Sequence, residues 1–288
     1  MTTKLMGTGV ALVTPFDAEL QIDFQGLERL LQHIAESQVR YLVVHGTTGE
    51  AATTTPAEKK AILQFIQAHN PRKLPIVYGI GGSNTSAVLE ALQHTDLQEV
   101  EAVLSVTPYY NRPSQAGLYQ HYTTLADASP VPLLLYNVPA RTGVNLAAAT
   151  TLQLSAHPNI VGIKEASGDL VQCLEIAQGK SADFSLIAGD DLLTLPMMAL
   201  GAAGLVATVA NAYPQAMSQL VEVALQNDFT AARRHAKALL PPCKFISATG
   251  NPVGTKQLLA TLGICQHHVR LPLVPSSAPP PTVAIQTD

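Results

Sequence analysis

The sequence predicts a (β/α)8 barrel with additional C-terminal helices. Three observations carry that expectation: eight short apolar runs of strand character, amphipathic helical stretches between them, and a repeat length that fits eight such units into roughly 210 residues. The runs are Gly9–Thr14, Arg40–His45, Pro75–Ile80, Glu101–Thr107, Val131–Asn137, Asn159–Glu165, Phe184–Asp190 and Gly204–Val209. They are mostly continuous rather than alternating in polarity, as in strands covered on both faces of a parallel sheet. An open doubly wound sheet is the competing arrangement for the same alternation.

The intervening segments read as helices. Phe24, Leu27, Leu30, Leu31 and Ile34 share one face at helical spacing. Thr55-Pro56-Ala57-Glu58 combines an N-cap, a proline at the first helical position and a capping-box glutamate. Beyond the eighth run, helical patterns recur near Pro214–Gln226, Thr230–Ser247 and Pro252–Leu262. The expected organisation is therefore a catalytic barrel over 1–212 and a helical extension over 213–274. A Pro-rich tail over 275–288 is expected to lie extended or disordered on the surface.

Composition narrows the function classes. The 288 residues carry 17 Lys+Arg against 21 Asp+Glu, a formal net charge of −4, with 47% hydrophobic and only 13% charged residues. So apolar a chain has material for a large core and is not intrinsically disordered. A mildly acidic chain without a basic run is poorly suited to nucleic acid or anionic membranes. Cys173, Cys243 and Cys265 are odd in number and widely spaced, with no CxxC pair, so reduced thiols and a cytoplasmic setting are expected. The apolar stretch Met6–Phe16 is interrupted by Gly7, Gly9 and Pro15 and reads as a strand rather than a signal-peptide core.

In a barrel the chemistry sits where strands end. The second run ends in His45-Gly46-Thr47-Thr48-Gly49-Glu50 and the fourth leads into Thr107-Pro108-Tyr109-Tyr110. The fifth ends in Tyr136-Asn137, followed by Arg141, and the sixth ends in Lys164-Glu165. An amine at the end of an apolar strand is desolvated, which favours the neutral form that attacks a carbonyl. The plain alternative is that Lys164 forms a structural ion pair with Glu165 or another carboxylate. Hydroxyls of Tyr136, Tyr110 and Thr47 are candidates for a proton relay, although tyrosines often cap a core. Thr47 with Glu50 also matches a capping box. Backbone N–H groups at that turn suit the carboxylate of a 2-oxo acid. Arg141 is either a clamp for a second carboxylate or a solvated loop charge.

Other signals fail. Gly79-Ile80-Gly81-Gly82-Ser83-Asn84 has Asn84 where a dinucleotide loop needs its third glycine. There is no phosphate loop, no HExxH spacing and no GxSxG elbow, and the adjacent His267 and His268 lack metal-ligand spacing. Neither a metal nor an organic cofactor is expected, since an imine on Lys164 supplies its own electron sink.

Four motifs now combine: GTTGE (Gly46–Glu50), TPYYNRPSQ (Thr107–Gln115), YNVPARTG (Tyr136–Gly143) and GIKEASG (Gly162–Gly168). Together they resemble the dihydrodipicolinate synthase family, the 4-hydroxy-tetrahydrodipicolinate synthases of the class I pyruvate-dependent aldolases. The resemblance runs from about Gly7 into the 270s. It implies that Lys164 forms a Schiff base with pyruvate, with Tyr136 as general acid/base above it. It further implies a relay through Thr47 and Tyr110, Tyr110 coming from the neighbouring subunit of a tight dimer within a homotetramer. Thr48 would hold the pyruvate carboxylate, Arg141 the carboxylate of L-aspartate 4-semialdehyde, and Gly189 and Val206 would line the pocket. The implied reaction is an aldol-type condensation followed by cyclisation, the first committed step toward diaminopimelate and lysine. N-acetylneuraminate lyase and the 2-keto-3-deoxy sugar-acid aldolases share the lysine and tyrosine. The arginine of YNVPARTG and the first threonine of GTTGE, where sugar-acid lyases more often read GSTGE, favour a synthase. A non-catalytic barrel that senses a 2-oxo acid would need no proton relay.

Two departures from the family pattern stand out. Where relatives carry Asn-Pro-Ile-Pro-Val-Lys, this chain reads Asn251-Pro252-Val253-Gly254-Thr255-Lys256, so the second proline is replaced by Gly254 and its fixed φ is lost. Lysine-inhibited relatives place a serine and histidines after GTTGE, and an Asn and a Glu at the third helix. Here stand Ala51, Pro56 and Lys59, then Ser83 and Ala87, and only Tyr109 fits. Weak or absent lysine feedback is the expectation.

Overall fold

The computed structural model, described over residues 5–282, contains eight parallel strands that close into a barrel in chain order. They are β1 (Gly7–Ala11), β2 (Tyr41–Val44), β3 (Ile76–Gly79), β4 (Val100–Val106), β5 (Leu133–Asn137), β6 (Ile160–Glu165), β7 (Ser185–Ala188) and β8 (Gly204–Ala207). All eight expected runs form strands, and the closed order excludes the open doubly wound sheet. Between them lie α1 (Phe24–Ala35), α2 (Pro56–Ala68), α3 (Thr85–His94), α4 (Gln115–Ala128), α5 (Pro139–Thr142), α6 (Ala148–Leu154), α7 (Leu170–Gly179) and α8 (Thr194–Ala199). The expected C-terminal helices follow as α9 (Pro214–Leu225), α10 (Phe229–Thr249) and α11 (Val253–Thr261).

The chain divides into two compact units, one built on Ile76–Leu205 and the other on Gly7–Pro75 and the chain from Val206 onward. In the first, β3 to β7 pair successively in parallel. One irregularity there matters for the chemistry. Leu133 pairs with Ile160, but the register then shifts, so Leu134 pairs with Gly162 and Tyr136 with Lys164. Carrying the first register straight on would have set Tyr136 beside Ile163. Gly162 makes the shift sterically possible: a Cβ there would lie 2.5 Å from the Ser185 carbonyl oxygen and 3.2 Å from Leu134 Cδ1.

In the second unit, β1 and β2 pair in parallel and Tyr41, fully buried, packs over Gly9, where a Cβ would meet the ring at 2.2 Å. Helix α1 begins at Asp23, whose carboxylate accepts the Gly26 N–H, and buries Leu27, Leu30, Leu31 and Ile34. The capping box at Thr55 and Glu58 is present in both directions at the start of α2. Asn211 joins distant parts of this unit, donating to the Ala11 carbonyl at 2.7 Å and accepting from the Val13 N–H at 3.1 Å. Residues 275–282 form no helix or strand and are exposed or half-buried. They are nevertheless tied down, since Gln257 Nε2 donates to the Ala278 carbonyl at 2.6 Å. The rest of the expected tail lies outside the described residues.

Among the described residues no helix is long and apolar enough to cross a membrane. Cys173, Cys243 and Cys265 are all buried and none is joined in a disulfide, and burial pushes the Cys173 thiol up to about 12 and the Cys265 thiol up to about 11.

Candidate active site

Parallel neighbours in a sheet carry their side chains to the same face, and successive residues alternate faces. Tyr136 and Lys164, in register at the ends of β5 and β6, therefore share one face, while Asn137 and Glu165 share the other. Lys164 is 6% and Tyr136 5% exposed, and the lysine Nζ lies 4.2 Å from the centre of the Tyr136 ring. A buried amine against the negative face of an aromatic ring is held in place without a carboxylate neighbour.

Alternation also decides the ion-pair question. Lys164 makes no ion pair with Glu165, which faces away and is held by donors on its own side. Ser167 N–H reaches Oε1 at 2.7 Å, Asn137 Nδ2 lies 3.2 and 3.0 Å from the two oxygens, and Gln172 Nε2 donates to Oε2 at 3.1 Å. Asn145 completes the set, accepting from Asn137 at 2.7 Å and donating to Gln172 at 2.8 Å. This amide–carboxylate staple joins the residue after Tyr136 to the residue after Lys164. Sequence reading passed over it, although strand alternation was the signal that would have placed Glu165 on the outer face.

Gly189 follows β7 and donates its N–H to the Glu165 carbonyl at 2.8 Å. A Cβ on it would lie 2.8 Å from Ala166 Cβ and 3.1 Å from Lys164 Cγ. The stem of the lysine thus lies against a position free of side chain. Arg141 is exposed on α5, a single turn started by Pro139 and ended by Gly143 at φ 75°. Thr142 in that turn is buried and accepts from Thr107 Oγ1 at 3.3 Å, tying Arg141's turn to the end of β4. Tyr110 differs from the others. It is 93% exposed at φ 73°, so it is not packed with Tyr136 within the chain.

Thr47, Thr48 and Val206 belong to the second unit. Thr47–Gly49 is a short 3-10 turn, and Glu50 ends it in left-handed conformation at φ 52°. The alternative capping-box reading of Thr47 and Glu50 is corrected here: no side-chain cap forms, because the Glu50 carboxylate turns to other donors. Lys256 Nζ donates to its Oε1 at 2.5 Å and the Arg270 N–H to its Oε2 at 3.1 Å. The Lys256 and Glu50 side chains are 0% and 1% exposed. Burial pushes the Lys256 amine below its ordinary range, against the opposing pull of Glu50. Thr48 is buried and accepts from Asn251 Nδ2 at 2.9 Å. Val206 is buried within β8. His45, at φ 57° just before the turn, donates through Nε2 to the Lys59 carbonyl at 3.2 Å, and burial holds its pKa down to about 4. Of the sequence that resembled a dinucleotide loop, Gly79 ends β3 and Asn84 caps α3.

A model of the dihydrodipicolinate synthetase family matches residues 4–280. The chain belongs to this family. It is 45% identical over 271 residues to the 4-hydroxy-tetrahydrodipicolinate synthase of Cytophaga hutchinsonii, covering 94% of this chain and 91% of the relative. The synthase of Flavobacterium psychrophilum is 45% identical over 270 residues, covering 93% and 92%. Among solved structures, dihydrodipicolinate synthase from Aquifex aeolicus superposes with a TM-score of 0.91 at 35% identity, covering 95% of this chain and 93% of that one. A chloride-inhibited synthase from Acinetobacter baumannii, complexed with pyruvate, superposes with a TM-score of 0.91 at 36% identity, covering 94% of each chain. Within the dihydrodipicolinate synthetase family, the synthase reading of the four motifs is borne out over the sugar-acid lyase alternative.

Proposed function

We propose that the chain condenses pyruvate with L-aspartate 4-semialdehyde to 4-hydroxy-tetrahydrodipicolinate, with Lys164 as the Schiff-base nucleophile. One observation carries the assignment of roles: Lys164 is buried beside Tyr136 and free of Glu165. The Lys164 amine attacks the 2-oxo carbon of pyruvate, the carbonyl oxygen leaves as water, and an iminium remains. Loss of a C3 proton gives the enamine, whose C3 attacks the aldehyde carbon of the semialdehyde. The semialdehyde's amine then closes on the iminium carbon and releases Lys164.

Each transfer of a proton needs a hydroxyl within reach. Tyr136, whose ring lies under the lysine amine, is the general acid/base, with Thr47 and Tyr110 completing the relay. An aromatic that is 93% exposed in the single chain suits the reading that Tyr110 serves the neighbouring subunit of a dimer, within a homotetramer. Thr48 holds the pyruvate carboxylate, Arg141 the carboxylate of the semialdehyde, and Gly189 and Val206 line the pocket. Three buried cysteines, none in a disulfide, fit a cytoplasmic setting. Feedback by lysine is weak or absent, because Lys59 stands where lysine-inhibited relatives place acceptors for an ammonium. Little loss of rate at millimolar lysine checks this.

The decisive experiment traps the imine. Incubation with pyruvate and borohydride, followed by peptide mass spectrometry, places the adduct on Lys164, and absence of a pyruvate-dependent mass gain there refutes the mechanism. Turnover of the semialdehyde rather than N-acetylneuraminate is expected. Arg141→Ala weakens use of the semialdehyde while leaving imine formation intact.

A further inference from the structure

We propose that Asn251 is a positioning residue that orients the Thr48 hydroxyl as a donor toward the substrate carboxylate. The proposal rests on the reading of Thr48 as the carboxylate-binding residue. It starts from the direction of one hydrogen bond. Asn251 Nδ2 lies 2.9 Å from Thr48 Oγ1, while Asn251 Oδ1 accepts from Thr255 Oγ1 at 3.4 Å. With Oδ1 turned toward the Thr255 hydroxyl, Nδ2 is the end of the amide that faces Thr48. An amide nitrogen donates only, so the Thr48 oxygen is the acceptor in this pair. A hydroxyl carries a single proton, and with its oxygen accepting from Asn251 that proton is left to donate elsewhere. A carboxylate accepts only. The threonine is thus prepared for an anion before the anion arrives, and a preset donor costs no reorganisation on binding.

The segment bearing Asn251 is fastened so that this orientation persists. Gly254, at the start of α11, donates its N–H to the Gly250 carbonyl at 2.8 Å, and Lys256 donates its N–H to Pro252 at 2.9 Å. A Cβ at Gly254 would lie 2.1 Å from Thr249 Oγ1 and 3.0 Å from Ile246 Cα, so the missing side chain lets the start of α11 close onto the end of α10. Five residues past Asn251, the Lys256 ammonium grips Glu50, two residues past Thr48. The C-terminal segment therefore holds the Thr47–Glu50 turn at two points, one through the turn's carboxylate and one through the hydroxyl that would meet substrate. The departure at Gly254 is accommodated by close helix packing.

The test is a mutant cycle on purified full-length protein, read as kcat and as KM for pyruvate and for the semialdehyde separately. Asn251→Ala is expected to raise KM for pyruvate by about five- to tenfold, the worth of one oriented hydrogen bond, with kcat and the semialdehyde KM changed less than about twofold. Asn251→Asp is nearly isosteric but accepts only, so it captures the Thr48 proton and raises the pyruvate KM beyond the alanine variant. A purely structural role predicts the opposite ranking. In a Thr48→Val background Asn251→Ala adds nothing to the pyruvate KM. Thr255→Val, which frees the amide to turn over, gives a smaller rise and serves as the readout should Asn251→Ala fail to fold. If Thr48→Val leaves the pyruvate KM unchanged, the reading of Thr48 fails and the role of Asn251 with it. If Thr48→Val raises that KM while Asn251→Ala leaves it unchanged, or acts equally in both backgrounds, only the role of Asn251 is overturned.

Discussion

Lys256→Met removes one half of an ion pair that water does not reach. The partners lie 2.5 Å apart with side-chain exposures of 0% and 1%, so the Glu50 carboxylate left behind is buried. Its remaining donor is the Arg270 N–H at 3.1 Å. Removing one partner of such a pair costs about 3–5 kcal/mol, most of it the burden of an uncompensated charge rather than the worth of the contact. Methionine keeps most of the lysine's apolar volume and still packs on the Phe16 ring, from whose centre Lys256 Nζ lies 4.0 Å, so little of the loss comes from a cavity. For a chain of this size a loss of that order lowers Tm by roughly 10 °C. Glu50→Gln leaves the ammonium with the His268 carbonyl, at 2.8 Å, and the Phe16 ring, and costs a similar amount. The double variant Glu50→Gln/Lys256→Met loses clearly less than the two singles combined, because no buried charge is left alone. Thermal and urea unfolding of the four proteins measures the coupling. Single variants within about 1 kcal/mol of wild type, or a double variant that is simply additive, would refute this account of the pair.

The other expected outcomes concern the two strand ends and the turn. Glu165→Gln keeps the shape but sets an amide against the Asn137, Gln172 and Ser167 donors. It is expected to cost about 1–3 kcal/mol for each donor left without an acceptor and to slow imine trapping on Lys164, as measured by urea unfolding and borohydride kinetics. Gly189→Ala pushes a methyl to 2.8 Å from Ala166 Cβ and 3.1 Å from Lys164 Cγ. The overpacking should cost about 1–3 kcal/mol and reduce the rate of imine formation while the circular-dichroism spectrum stays native. His45 is held neutral in the folded chain, with a pKa lowered to about 4 from an ordinary 6.5. Between those values the unfolded chain binds the proton and the folded chain does not. The stabilisation is therefore full above pH 6.5 and is lost as pH falls toward 4, by about 3 kcal/mol in all. Denaturation midpoints measured across that range should fall for wild type and fall less for His45→Asn.

Much of this was legible in the chain. Continuous apolar runs announced strands buried on both faces, and all eight formed. Thr55-Pro56-Ala57-Glu58 announced the start of α2 because a capping box is built within four consecutive residues. Lys164 and Tyr136 stood out because each ends an apolar run, a pattern that survives without knowledge of packing. Residues that act across long sequence separations left no comparable trace. Thr48 and Asn251 are 203 positions apart, and Glu50 and Lys256 are 206 apart.

Local order in the sequence determines what depends on local physics: which runs are strands, where helices begin, and which side chains stand at strand ends. Tertiary structure alone decided the step in register between Leu133 and Leu134 that sets Tyr136 against Lys164. It also decided that Glu165 is held by amides rather than by the lysine beside it, and that Glu50 turns toward Lys256 instead of capping its own turn. The reason is the same in each case. Hydrogen bonds and charges buried away from water must find partners wherever the fold brings them. The identity of those partners is a property of the closed barrel and its C-terminal helices, not of any short stretch of the chain.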